Sequence, residues 1–216
     1  MVSKCLLTVN LERGTTVQHR VPKEERRRQI IESAATLFSR RGFRGTTTRE
    51  VAQAVGVSEA TVFKHFATKQ DLYTAIIEVK AQTRQVLDVV TPLAEARDDA
   101  ALLRALAREM ILRTQTDPTL MRLLFFSALE GHALADLFFQ RRVQALDDFL
   151  AKYIADRVAA GAFRTVDPIL AAWNFIGMIT QYLLLQELFR QKAPPHVSVE
   201  QAIGEMVTTF LRGVQP

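Results

Sequence analysis

An all-α fold is predicted for this 216-residue chain, on three features of its sequence. Apolar residues recur three and four positions apart along most of its length, the spacing of one helix face. Glycine (9) and proline (7) are too few to punctuate a turn-rich β protein. Two capping boxes, Thr47 with Glu50 and Ser198 with Gln201, mark helix starts directly. A hydrophobic fraction of 48% and a charged fraction of 24% exclude a wholly disordered chain. The one cysteine, Cys5, excludes an intrachain disulfide and any paired-cysteine zinc or redox motif, which points to a reducing compartment.

The elements follow in order. Residues 1–22 lack apolar periodicity, contain Gly14-Thr15-Thr16 and carry no signal-peptide pattern, so they are expected to form a mobile extension. A helix is expected over 23–41, with Ile30, Ala34, Leu37 and Phe38 on one face and Gly42 as its stop. A second starts at Thr48 inside the Thr47 box and ends at Gly56, where a left-handed turn costs least. Ser58 caps a third, Glu59–Phe66, and Thr68 caps a fourth that opens at Lys69 and runs to about Val90. Longer helices follow over Asp98–Gln115, from Asp117-Pro118 to Gly131, over about Ala133–Ala160, from Asp167-Pro168 to about Gln191, and over Ser198–Gly213. The uncharged run between Asp167 and Glu187 is expected to be a buried helix of a soluble bundle. Asn174, Gln181 and Gln186 would be costly in a bilayer.

Charge is unevenly placed. Residues 23–84 carry 12 basic and 7 acidic side chains, whereas residues 85–216 carry 13 basic and 15 acidic ones. A basic segment on a mildly acidic body suits a polyanionic partner, most simply nucleic acid. Within it, two short helices joined at Gly56 have the spacing of a helix-turn-helix, whose second helix enters the major groove. Thr47, Thr48 and Thr61 supply hydroxyls for phosphates, and Glu59, Ala60 and Lys64 lie where base edges can be read.

The stretch TTTREVAQAVGVSEATVFKHFATKQDLYTAII, preceded by RRRQIIESAATLFSRRGF, closely resembles the DNA-binding segment of the TetR-type family of transcriptional regulators. The resemblance covers about residues 24–77 and rests on Phe38, Gly42, Thr47, Val51-Ala52, Gly56-Val57-Ser58, Thr61, Phe66, Lys69 and Leu72. It implies a helix-turn-helix DNA-binding domain over 23–68 and a helical ligand-binding and dimerisation domain over 69–216. Thr47, Thr61 and Lys69 would then anchor phosphates, and Arg49, Glu59, Ala60 and Lys64 would read bases, with Ser58 and His65 close to the duplex. Phe63 stands where the family usually has tyrosine, so a phosphate-touching hydroxyl is replaced by apolar surface.

The resemblance further implies a cytoplasmic homodimer on a palindromic operator, acting as a repressor released by a small effector. The interface candidates are Leu184, Leu185, Leu188, Ile203, Met206, Val207 and Phe210. Aromatic and methionine side chains suggest a mostly apolar effector pocket with a few polar points: Met110, Met121, Phe125, Phe138, Trp173, Asn174, Met178 and Gln181. Asn174 and Gln181 share a helix face and need partners, which a ligand or a neighbouring chain could supply. The nucleophile-elbow, phosphate-loop and metalloprotease motifs are absent, and the four histidines are scattered, so no catalysis, metal or cofactor is expected.

Overall fold

The computed structural model describes residues 21–80, 83–131, 144–191, 194 and 196–216. In chain order its helices are α1 (Lys23–Arg41), α2 (Thr48–Val55), α3 (Glu59–His65), α4 (Lys69–Lys80), α5 (Thr83–Glu95), α6 (Asp99–Thr116), α7 (Thr119–Leu129), α8 (Gln144–Ala159), α9 (Pro168–Leu183) and α10 (Val199–Val214). No strand occurs among the described residues.

The caps explain these boundaries. Thr47 accepts the Glu50 N–H while Glu50 accepts the Thr47 N–H, which closes the first box, and Gly56 takes up φ 72°, ψ 37°. Ser58 accepts from the Thr61 N–H. Thr68 and Asp71 exchange bonds of 3.0 Å at the start of α4. Asp98 caps α6, Asp167 caps α9 ahead of Pro168, and Ser198 with Gln201 forms the second box.

Two expected boundaries change, those of α3 and α9, and two others touch residues outside the described set. α3 stops at His65, because Phe66 is already extended at φ −141°, ψ 114°. The run expected from Lys69 to Val90 is helical over Lys69–Lys80 and over Thr83–Glu95, residues 81–82 lying outside the described set; α4 packs on α1 and α7, α5 on α6 and α8. The helix expected from Ala133 is described only from Gln144 onward, residues 132–143 lying outside the described set. α9 gives way at Leu184 to a wider π-helical turn, Leu184–Leu188, where Arg122 donates to the Glu187 carbonyl at 3.2 Å. The extension expected over 1–22 falls almost wholly outside the described residues.

Two apolar cores result. The first gathers Ile30, Ala34 and Phe38 of α1, Val51 and Ala52 of α2, Val62 of α3, and Leu72, Tyr73 and Ile76 of α4. The second joins α5, α6, α8, α9 and α10 around Leu102, Leu106, Ile111, Leu150, Phe175, Ile179 and Ile203. Helix α7 serves both: Leu123 is buried in the first core, while Met121 is buried in the second and Phe125 packs against it. Tyr73 donates to the Leu123 carbonyl at 3.0 Å. Burial pushes its phenol up to about 12. Pro168–Leu188 is long and apolar enough to cross a membrane by length and composition. Ala171, Ala172, Phe175, Ile179 and Leu183 nevertheless bury one side of this segment in the second core, and exposed Asn174 and Gln181 lie on the other.

Candidate nucleic-acid interface

Helices α2 and α3 are held by their inner faces, Val51, Ala52 and Val62, each at most 2% exposed. Their outer faces carry the side chains that sequence reasoning singled out. Thr47, Arg49, Ser58, Ala60, Phe63 and Lys64 are exposed, and Phe63 keeps 45% of its surface open. Arg49 and Lys64 have no ion pair among the described residues. The first turn of α3 thus presents Ala60, a small apolar surface, and its last turn a cation and a ring. That is a surface able to meet base edges and the thymine methyl.

The half-buried members bond within the unit. Thr48 donates its hydroxyl to the Glu59 carboxylate, which ties the start of α2 to the start of α3. Glu59 is therefore a partnered acid inside the unit, not a carboxylate standing in solvent. The Ser58 and Thr61 oxygens lie 2.9 Å apart. Glu50 closes its cap on Thr47 and also receives Arg41 at 2.8 Å, and these donors, Thr47 first, hold its carboxyl below the usual range. His65 is half-buried towards the basic start of α1, with Nδ1 enclosed and without a hydrogen-bond partner. Burial, then Lys23 and Arg27, lower its pKa, so the ring is neutral at physiological pH.

Lys69, expected as a phosphate anchor, contacts the turn between α1 and α2. Its ammonium turns inward, donating to the Phe43 carbonyl and lying 4.2 Å from the centroid of the Phe43 ring. Burial lowers its pKa, opposed by Glu130 and Glu50. Opposite it, Glu130 at the end of α7 accepts the Arg44 N–H on both carboxylate oxygens at 3.3 Å. No local pattern encodes this contact, since Glu130 and Arg44 are 86 positions apart.

The expected effector residues divide. Met121 is buried, and Met110, Phe125 and Met178 are half-buried against the second core. Trp173, Asn174 and Gln181 do not join them: Trp173 is 52% exposed and both amides are exposed on the outer side of α9. The helix turns its alanine, phenylalanine and isoleucine side chains to the core, which leaves the amides outside. Phe138 lies outside the described residues. Of the expected effector residues, Asn174 and Met178 line a groove of about 530 Å³, together with Arg164, Asp167, Leu170 and Phe210 among others.

The expected dimer contacts also divide. Ile203, Val207 and Phe210 fill the protomer's own core at 0%, 1% and 7% exposure, so they are not surface residues. Leu184, Leu188 and Met206 are half-buried, and Leu185 is 42% exposed. Helical spacing alone could not tell the two sides of α10 apart. The apolar surface actually left open on α9 and the turn after it is Ile169, Leu170, Trp173, Leu185 and Phe189. No cluster of metal-ligating side chains occurs among the described residues.

Comparisons with known proteins match two stretches of the chain. Residues 30–76 match the family described as bacterial regulatory proteins, tetR family, and residues 101–213 match the AefR-like transcriptional repressor C-terminal domain. The HTH-type transcriptional regulator RutR of Escherichia coli (strain K12) is 30% identical over 147 residues, 66% of either chain, so the chain spans just under two thirds of that relative. The nucleoid occlusion factor SlmA of Escherichia coli O1:K1 / APEC is 32% identical over 123 residues, 56% of this chain and 58% of SlmA. The crystal structure of AibR in complex with isovaleryl coenzyme A and operator DNA superposes with a TM-score of 0.69 at 28% identity, covering 86% of this chain and 97% of that one. The flavonoid-responsive regulator FrrA does so with a TM-score of 0.61 at 26% identity, covering 89% and 98%.

Proposed function

The chain belongs to the TetR family of bacterial regulatory proteins, and from that premise we propose that it is a homodimeric, operator-binding repressor released by a small, mostly apolar ligand. The observation that carries the reading is the outer face of α3: Ala60, Phe63 and Lys64 stand exposed on a short helix whose inner side is fixed by Val62. With Arg49 and Thr47 beside them, these side chains read bases and phosphates. The Thr48–Glu59 bond ties α2 to α3, and the Ser58–Thr61 bond closes the first turn of α3. His65 sits behind the reading face and supports it. Residues 23–68 supply the reading head, and residues 69–216 supply the body, with α4 as the rod between them.

One head covers few base pairs, so two-fold pairing doubles the contact and selects a palindrome. The open apolar side of α9, with Leu170, Trp173 and Leu185, is the surface we assign to that pairing. The neighbouring chain then supplies partners for Asn174 and Gln181. The effector binds in the body near Met110, Met121, Phe125 and Met178. AibR, solved with isovaleryl coenzyme A and operator DNA, supports a ligand with an apolar portion. Binding acts through differential affinity: a ligand that prefers a head separation other than the groove repeat of about 34–36 Å weakens operator binding, and one that binds both states equally does nothing. Acting on chromosomal DNA places the protein in the cytoplasm.

Ala60→Glu tests the reading. An acid in the first turn suits a helix N-terminus, so α3 and the fold survive. The new charge on the reading face is expected to weaken duplex-DNA affinity about a hundredfold or more by like-charge repulsion. Unchanged affinity would remove α3 from the interface.

A further inference from the structure

A single peptide group joins three parts of the molecule. The bond between Phe43 and Arg44 lies in the turn that leads from α1 to the Thr47 cap of α2. Its carbonyl receives the Lys69 ammonium from α4, and its N–H is held by the Glu130 carboxylate from α7. The negative end of the peptide dipole therefore faces a cation, and its positive end faces an anion. Each charge is matched by the end of the dipole that it meets. Gly42, immediately before, has φ 74° and no side chain. A Cβ there would collide with Glu130 Oε1 and crowd the Phe126 ring. The turn is thus shaped to let a carboxylate of the body reach the backbone of the head.

Elsewhere the same two parts are joined by groups that cannot aim the turn. Lys80 of α4 bonds Glu32 of α1 at 2.9 Å and Asp117, just before α7, at 3.0 Å, at the end of α4 away from the head. Leu120, Leu123 and Leu124 give α7 a greasy seat on the first core. Glu130 meets the chain between α1 and α2 from α7, as Lys69 and the Tyr73 ring meet it from α4. On the reading that the head binds DNA, we propose that Glu130 is a positioning residue for it: through the Phe43–Arg44 peptide and Lys69 it fixes the angle at which α2 and α3 leave the body, and hence the separation of the two heads.

Two measurements on the full-length dimer test this, with Glu130→Ala and, as the milder change, Glu130→Gln, which keeps an acceptor for the Arg44 N–H but loses the charge facing Lys69. The first needs no DNA. Hydrogen exchange of the backbone through residues 43–50 is expected to quicken in both variants, more in Glu130→Ala, while exchange in the middle of α1 stays as in the parent. Unchanged exchange at 43–50 would overturn the proposal whether or not the protein binds DNA. The second uses the palindrome that the parent selects, together with versions lengthened or shortened by one base pair between the half-sites. Glu130→Ala is expected to bind the preferred spacing about five- to tenfold more weakly and to discriminate less between spacings, with the salt dependence unchanged, since no phosphate contact is removed. Weaker binding with the spacing preference intact would mean that Glu130 only supports the fold, and the proposal would fail.

Discussion

Lys69→Ala separates two roles for one side chain. If the ammonium met a phosphate in the complex, a two-headed dimer would lose two such contacts, and the slope of log affinity against log salt would shrink by about 1.8. Over a fourfold rise in salt, from about 50 to about 200 mM, that is about a twelvefold smaller loss of affinity. The structure gives the ammonium to the Phe43 carbonyl and places it over the Phe43 ring instead. The expected result is therefore an unchanged slope, with the whole line displaced to weaker binding because the turn before α2 is loosened. Thermal stability is expected to fall by about 1 kcal/mol, below the usual value for a charged donor because the side chain is half-exposed. Anisotropy titrations of a labelled duplex at several salt concentrations, with a melting curve for each protein, read both quantities. A slope smaller by about 1.8 with an unchanged melting midpoint would instead put Lys69 on the DNA.

Two further outcomes follow from the packing. Tyr73→Phe removes a bond to the Leu123 carbonyl and is expected to cost about 1 kcal/mol at neutral pH. The folded phenol ionises at about 12 against an ordinary 10, so the folded state stays neutral while the unfolded chain ionises, and stability is lost as pH climbs through that window. Urea midpoints at alkaline pH should fall more steeply for the parent than for Tyr73→Phe; parallel curves would contradict the assignment. Leu170→Arg places a charge on the outer side of α9, where the leucine is 55% exposed. The protomer is expected to fold unchanged and pairing to weaken by about 2 kcal/mol or more, read by sedimentation. A dimer of undiminished strength would move the interface elsewhere.

The reading head was legible because its signals are local. Capping residues, glycine stops and a short apolar face lie within a few positions of one another, and α1, α2 and the start of α3 stand where they were expected. What the sequence hid was which side of a long helix faces in. On α10 the expected interface residues Ile203, Val207 and Phe210 proved to be core, and on α9 the amides Asn174 and Gln181 proved to be outside. Apolar residues at helical spacing report that a face is buried, not against what. The turn of Lys69 onto Phe43 and the reach of Glu130 to Arg44 depend on partners 26 and 86 positions away, which no local pattern encodes.

Two copies of α3 are expected to read one duplex together. Selection of bound fragments from random-sequence DNA by the full-length protein tests it most directly. The expected product is an inverted repeat whose half-site centres lie about 10–10.5 base pairs, or a multiple of that, apart, with two protomers on each duplex. Enrichment of a lone asymmetric site held by one protomer, or of no sequence at all, would contradict it.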